Sequence, residues 1–123
     1  DDYFSWGVQV DDLGLTQMRQ LYAPPDTMPH LTWWANVVTD AGHHGGGPRS
    51  DLARASLRQS DARLGAFLDH LDALGVTDRV TFVVTADHGF EGSDPQVRGS
   101  WTPALDALGI SYPDEGPGLV YFL

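Results

Sequence analysis

Asp40 with His44, in the stretch TDAGHHGGGPR, and the adjacent Asp87 and His88, in TADHG, each set a carboxylate close to an imidazole, as a metal site requires. A carboxylate and an imidazole can both reach one cation, and both suit zinc. Each pair follows directly on a strongly apolar run, residues 31–38 (LTWWANVV) or 80–86 (VTFVVTA), and one long helical segment separates them. If the two runs pair in parallel, as the ends of a βαβ unit do, both pairs arrive at one sheet edge, beyond the carboxyl ends of the strands. Neighbouring strands lie about 4.8 Å apart, and a two-metal hydrolytic site holds its ions about 3.5–4 Å apart. The arrangement therefore reads as half of a two-metal centre. At the first pair either His43 or His44 could face the ion, and Gly42, Gly45, Gly46 and Gly47 would let a loop fold round it.

Periodicity predicts the helices and strands that carry these pairs. Residues 3–10 put Phe4, Trp6, Val8 and Val10 on one parity, which predicts a half-buried strand. Asp11 or Asp12 then caps a short helix carrying Leu15, Met18 and Leu21 or Tyr22, ended by Pro24-Pro25. The run 31–38 predicts a strand covered on both faces, with Trp33 and Trp34 in the core on opposite sides. Four glycines and a proline make residues 39–49 a predicted loop. Ser50 caps a long helix with Leu57, Leu64, Phe67, Leu68, Leu71 and Leu74 as its buried stripe, Arg63 on its wet face and Gly75 as its stop. Residues 80–86 form a second buried strand, Thr102 to Leu108 a short helix with Pro103 in its first turn, and 118–123 a final strand. His30 and His70 read as surface residues, and Arg98 as a solvated loop residue. This order implies a layered α/β fold with a mainly parallel sheet.

Composition narrows the partners. The 123 residues carry a net charge of −10, with seven Arg and no Lys. Such a surface repels nucleic-acid backbones and anionic membranes. It would also repel an anionic substrate unless bound cations reverse the field locally. Without Cys there is neither a disulfide nor a thiolate metal site, and the compartment is left open. No run approaches transmembrane length and no signal peptide is visible. The chain starts at Asp1 and closes on a strand-like LVYFL, so it is expected to be one partial domain of a longer polypeptide.

TDAGHHGGGP, a long helix and then TFVVTADHG together resemble the alkaline phosphatase superfamily, and within it the type I phosphodiesterase/nucleotide pyrophosphatase branch, over about residues 29–92. The resemblance implies a three-layer α/β/α fold with a mainly parallel sheet, here incomplete at both ends, and two divalent metal ions, zinc by preference. The branch's Asp-x-x-x-His-x-x-Gly-Pro stretch maps onto Asp40, His44, Gly47 and Pro48, which selects His44 over His43 as a ligand of one zinc. Its Asp-His-Gly maps onto Asp87 and His88, ligands of the other. His43 stands where the branch often has Gly, a mild departure.

The implied mechanism has a Thr or Ser, lowered in pKa beside one zinc, attack phosphorus in line and become phosphorylated. The ion at Asp87 and His88 would be the nucleophile's, and that at Asp40 and His44 would assist the leaving group and water. The nucleophile and further ligands are expected outside residues 1–123. Thr39 and Thr85 read as structural, so no catalytic residue is expected here and the chain alone should be inert. The implied function is a segment of a two-zinc phosphoester hydrolase acting on a small phosphoester or nucleotide, not on a nucleic-acid duplex. Rival chemistries on the same scaffold are phosphomonoester, phosphonate or sulfate ester hydrolysis, or a metal-dependent mutase. A rival of another class is a truncated, non-catalytic metal-binding or packing domain.

Overall fold

One helical stripe of Phe4, Gly7, Asp11, Leu15, Met18 and Tyr22 runs inward along α1 (Asp2–Leu21) and its exit turn. Its spacing is that of a helix face, so the strand expected at residues 3–10 is instead the first half of a 20-residue helix. The alternation of Phe4, Trp6, Val8 and Val10 masked this, because the inner face of that half carries Gly7 and Asp11 rather than large apolar residues. A computed structural model describes residues 2–23, 27–94, 96, 99–111, 114–116 and 119–121. The expected stop at Pro24-Pro25 and the expected solvated Arg98 lie outside the described residues.

The chain divides into two units, Asp1–Gly92 and Ser93–Leu123. In the first, α1 packs on α2 (Val38–Gly46) and α3 (Asp51–Ala73), and α2 packs on α3. The core joins Met18 and Tyr22 of the α1 end to Phe67, Leu71 and Val76, with Trp34 and Val80 packed against it. Phe67 sits at its centre, edge-on to Tyr22 at 5.2 Å and to Trp34 at 5.6 Å between ring centroids. Ser50 caps α3 as its sequence suggests, accepting the Ala53 N–H at 3.0 Å. At the other end Gly75 takes φ 67°, and the bonds Val76 N–H to Leu71 O (3.1 Å) and Gly75 N–H to Asp72 O (2.9 Å) close the helix. Val76 and Leu71 are both buried, so the capping turn also brings an apolar contact. The stripe of α3 differs in detail from expectation. Leu57 is exposed, whereas Arg63 is buried against α1.

The expected three-layer α/β/α fold with a mainly parallel sheet is not formed by the described residues. Their one ladder is an antiparallel pair in the second unit, β1 (Asp114–Gly116) with β2 (Leu119–Tyr121), Glu115 opposite Val120. Of the final strand expected at 118–123, residues 119–121 form β2, paired antiparallel with β1, and residues 118, 122 and 123 lie outside the described residues. The second unit also holds α4 (Thr102–Ala107), begun by Pro103 in its first turn and closed at Gly109, φ 66°. Neither apolar run of the first unit joins a ladder. Residues 31–37 lay one side on the core, through Trp34 against Phe67 and a 2.9 Å bond between the hydroxyls of Tyr22 and Thr32. The other side is open, with Trp33 85% exposed, so Trp33 and Trp34 are not both core residues. Residues 81–86 are exposed throughout. An apolar run reads as a two-faced strand only when a ladder and covering layers meet it, and here neither does. His30 is exposed as expected, while His70 is half-buried with its ring over Phe67.

The predicted loop at 39–49 is largely helical, since α2 takes up residues 38–46. Glycine disfavours a helix by roughly 1 kcal/mol per residue, but here tertiary contact decides. A Cβ on Gly42 would fall 2.5 Å from both Cβ and Oγ of Ser56, so only glycine allows α2 to lie this close to α3. Thr39 and Ser60 add a hydroxyl–hydroxyl bond of 2.9 Å across the same interface. Gly42→Ala is expected to destabilise the chain by about 1–2 kcal/mol, overpacking outweighing the gain in helix propensity. Ser56→Gly costs α3 about 1 kcal/mol on its own but removes the clashing side chain, so Gly42→Ala should cost clearly less in that background than in the wild type, and urea unfolding of the wild type, both single variants and the double variant reads the difference.

Candidate functional site

Because α2 is a helix, Asp40 and His44 are one turn apart on a single face. Asp40 Oδ1 lies 3.4 Å from His44 Nε2. The second carboxylate oxygen is occupied from α1, where the Tyr3 hydroxyl donates to Asp40 Oδ2 at 2.8 Å. That bond, with some desolvation and the carboxylate's charge, pushes the Tyr3 phenol above its ordinary value. A raised phenol pKa keeps the proton on Tyr3 at neutral pH, and the donor is lost only as the pH rises through that raised value. Tyr3 thereby leaves Asp40 Oδ1 as the oxygen turned toward His44.

The neighbouring His43 is committed differently. Its Nδ1 lies 2.7 Å from Thr39 O, and since a carbonyl only accepts, Nδ1 carries the proton. The structure thus pairs Asp40 with His44 and turns His43 back on its own helix.

Asp87 and His88 sit in an exposed, irregular segment rather than at a strand end. Asp87 Oδ1 accepts the His88 backbone N–H at 3.0 Å, and Oδ2 lies 3.5 Å from His88 Nε2. His88 Nδ1 donates to Gly89 O at 3.0 Å, a bond that in the neutral ring selects the tautomer with the proton on Nδ1 and the lone pair on Nε2. The two pairs converge on Phe90. Its ring stacks on His43 (4.9 Å between centroids, 27° between planes) and meets His44 (4.9 Å, 87°) and His88 (5.4 Å, 63°) at steep angles. An open hollow of about 440 Å³ adjoins the end of α2, lined by residues 46–50 with Glu91 and Gly92. Across it Arg49 and Glu91 stand 3.9 Å apart, both highly exposed, a pair worth little in solvent.

The donor set can be tested against zinc. Two tetrahedral ligands about 2.0–2.1 Å from the ion lie about 3.3 Å from each other. The separations of 3.4 Å and 3.5 Å in the two pairs match that edge. Each pair is a set of two donors. Among the described residues no group of three or more His, Cys, Asp or Glu side chains is placed to hold an ion.

Sequence reasoning passed over Tyr3, whose tie to Asp40 bridges 37 positions and leaves no local signal. The segment from Phe90 to Trp101, which follows the second motif, reads in sequence as a border of the substrate pocket or a plain surface loop, and neither reading places the Phe90 ring among the histidines.

No curated protein and no solved structure matches the chain. A model of the Type I phosphodiesterase / nucleotide pyrophosphatase family matches residues 6–119. That match runs through both Asp/His motifs and the helix between them, and it leaves out only the extreme ends, so the chain belongs to the type I phosphodiesterase/nucleotide pyrophosphatase family, a family of hydrolases.

Proposed function

We propose that the chain supplies two ligands to each of two zinc ions in a hydrolase of phosphodiesters or nucleotide pyrophosphates: Asp40 and His44 to one, Asp87 and His88 to the other. The carrying observation is that both pairs hold their oxygen and nitrogen at the edge length of a tetrahedral zinc, 3.4 Å and 3.5 Å, while facing one Phe90 ring. Family membership supports the phosphoester substrate over sulfate esters. The charge of −10 supports the ions themselves, because an anionic phosphoester approaches such a surface only where cations reverse the field.

Zinc in such a place supplies Lewis acidity toward phosphoryl oxygens and lowers the pKa of a bound hydroxyl or water. The chain's own part is to hold donors in the right state. Tyr3 keeps Asp40 Oδ2 occupied, so Oδ1 is the free donor beside His44 Nε2. Gly89 O keeps the proton of His88 on Nδ1, so Nε2 is free to donate beside Asp87 Oδ2. Bonds of this kind, one step behind the ligands, typically change metal affinity by about 10–100-fold. No hydroxyl of this chain takes the nucleophile's place, and the chain alone binds metal without turning over.

Titration calorimetry of the 123-residue chain with zinc tests this. The wild type is expected to take up two equivalents. Asp40→Asn and His44→Ala should weaken one of them, Asp87→Asn and His88→Ala the other, each by about tenfold or more. Equally poor binding by wild type and all four variants would falsify the assignment. Steady hydrolysis of a phosphodiester by the purified chain would overturn the claim of inertness.

A further inference from the structure

Phe90 is the aromatic side chain common to both pairs. It contacts imidazoles that come from two places with very different support. His43 and His44 belong to α2, which is pinned to α1 and α3. His88 belongs to a segment exposed from residue 81 to residue 89 and joined to no ladder. Among the described residues the polar bonds of the His88 side chain run to Asp87 and Gly89, its immediate neighbours. Among the described residues its one ring contact is with Phe90, at 5.4 Å. Phe90 in turn lies 4.9 Å from each imidazole of α2. Phe82 also meets Phe67 at 6.4 Å and Glu91 stands 3.9 Å from Arg49, but among the described residues Phe90 is the ring that touches the imidazoles of both pairs.

We propose that Phe90 is a positioning residue that docks the Asp87–His88 pair onto α2 and so sets the spacing between the two half-sites. Aromatic rings prefer offset-stacked or edge-to-face contact at centroid distances of about 4.5–7 Å, and all three contacts fall in that range. The shallow 27° stack on His43 orients the Phe90 ring against α2. The steep contacts then fix His44 and His88 relative to that ring, at 87° and 63°. His43, which Thr39 O holds away from Asp40, acts here as the backing of the ring. Phe90 touches neither substrate nor ion in this role; it acts through the histidines.

This extends the two-zinc reading and rests on it only for its metal-binding part. The test uses the full chain with Phe90→Leu, which keeps an apolar side chain but removes the ring, and Phe90→Tyr, which restores the ring. Two measurements are made. Nitrogen-15 spectra of the apo imidazoles report tautomer and environment, and zinc calorimetry reports affinity. With Phe90→Leu, His44 and His88 should both shift, and His88 should relax from the Nδ1–H form toward the mixture of a free imidazole. The weaker zinc equivalent should lose about tenfold in affinity, with the thermal midpoint of the fold unchanged. Phe90→Tyr should return both readouts to wild type.

A His88 line that alone responds, with His44 and zinc affinity as in wild type, would overturn the proposal. So would a loss of affinity that Phe90→Tyr fails to restore. If the wild type binds no zinc, the two-zinc reading fails, and the apo spectra then decide the positioning role: joint response of His44 and His88 with rescue by Tyr upholds it, and independent response overturns it.

Discussion

Replacing Asp11 by Ala is expected to cost the fold about 3 kcal/mol and to loosen α2 before any other helix. Asp11 is 1% exposed, yet it is a carboxylate. Burial of such a group is tolerable only where hydrogen bonds compensate it. Here Oδ1 accepts the backbone N–H of Val37 at 2.9 Å and Oδ2 that of Val38 at 3.0 Å. These donors stand at the start of α2, whose N-cap residue is Val37 and has no side-chain oxygen of its own. The cap of α2 therefore comes from α1. An ordinary cap is worth about 1 kcal/mol. A buried carboxylate taking two N–H groups at the positive end of a helix dipole is worth more, at about 1.5–3 kcal/mol per bond before its own desolvation is deducted.

The consequence reaches the site, because Asp40 and His44 ride on α2 and Tyr3 on the first turn of α1. In Asp11→Ala the amides of residues 37–41 should exchange with solvent sooner than those of α3. Asp11→Asn should fall between, since its carboxamide offers one accepting oxygen for two donors. Urea unfolding with amide exchange reads all of this. Wild-type protection of the α2 amides in Asp11→Ala would show that the cap is not what holds the helix.

How far the fold could be read from the chain depends on whether local signals agreed with tertiary ones. Ser50 and Gly75 bracket a helix by chemistry that acts within a few residues, and α3 ends where they stand. Thr102 and Pro103 likewise start α4. The start of α1 was illegible because Gly7 and Asp11 face inward where an apolar periodicity needs large residues. The helix at 38–46 was illegible because its stabilising partners, Asp11 and Ser56, are remote in sequence. Apolarity at 31–38 and 80–86 says that a segment can be buried, not that a ladder awaits it, and in this chain those runs stay largely open. At the site, the four-residue step from Asp40 to His44 becomes meaningful on a helix, where it sets Oδ1 3.4 Å from Nε2. The ties that steady the pairs, Tyr3 to Asp40 and Phe90 to three imidazoles, have no motif of their own.

Arg63 should separate packing from charge at the joint between α1 and α3. It is only 4% exposed, although its place among charged residues on α3 suggested a wet face. Its Nη2 lies 2.7 Å and its Nε 2.9 Å from Asp12 Oδ1, and Nη2 also donates to Val8 O at 3.2 Å. Nη1 is buried without a partner among the described residues. Breaking a fully buried ion pair costs about 3–5 kcal/mol, but the Asp12 side chain is 63% exposed, so solvent screens part of the attraction.

Arg63→Ala is accordingly expected to cost about 2–3 kcal/mol, through the emptied volume and the lost donors together. Arg63→Met keeps most of the stem and removes the unpaired buried N–H, so it should lose less than half as much. A double-mutant cycle with Asp12→Ala isolates the ion pair, with an expected coupling of about 1 kcal/mol. Equal losses in Arg63→Ala and Arg63→Met would mean that charge, not packing, holds α1 to α3. Zero coupling with Asp12 would assign the whole effect to the buried stem and to Val8.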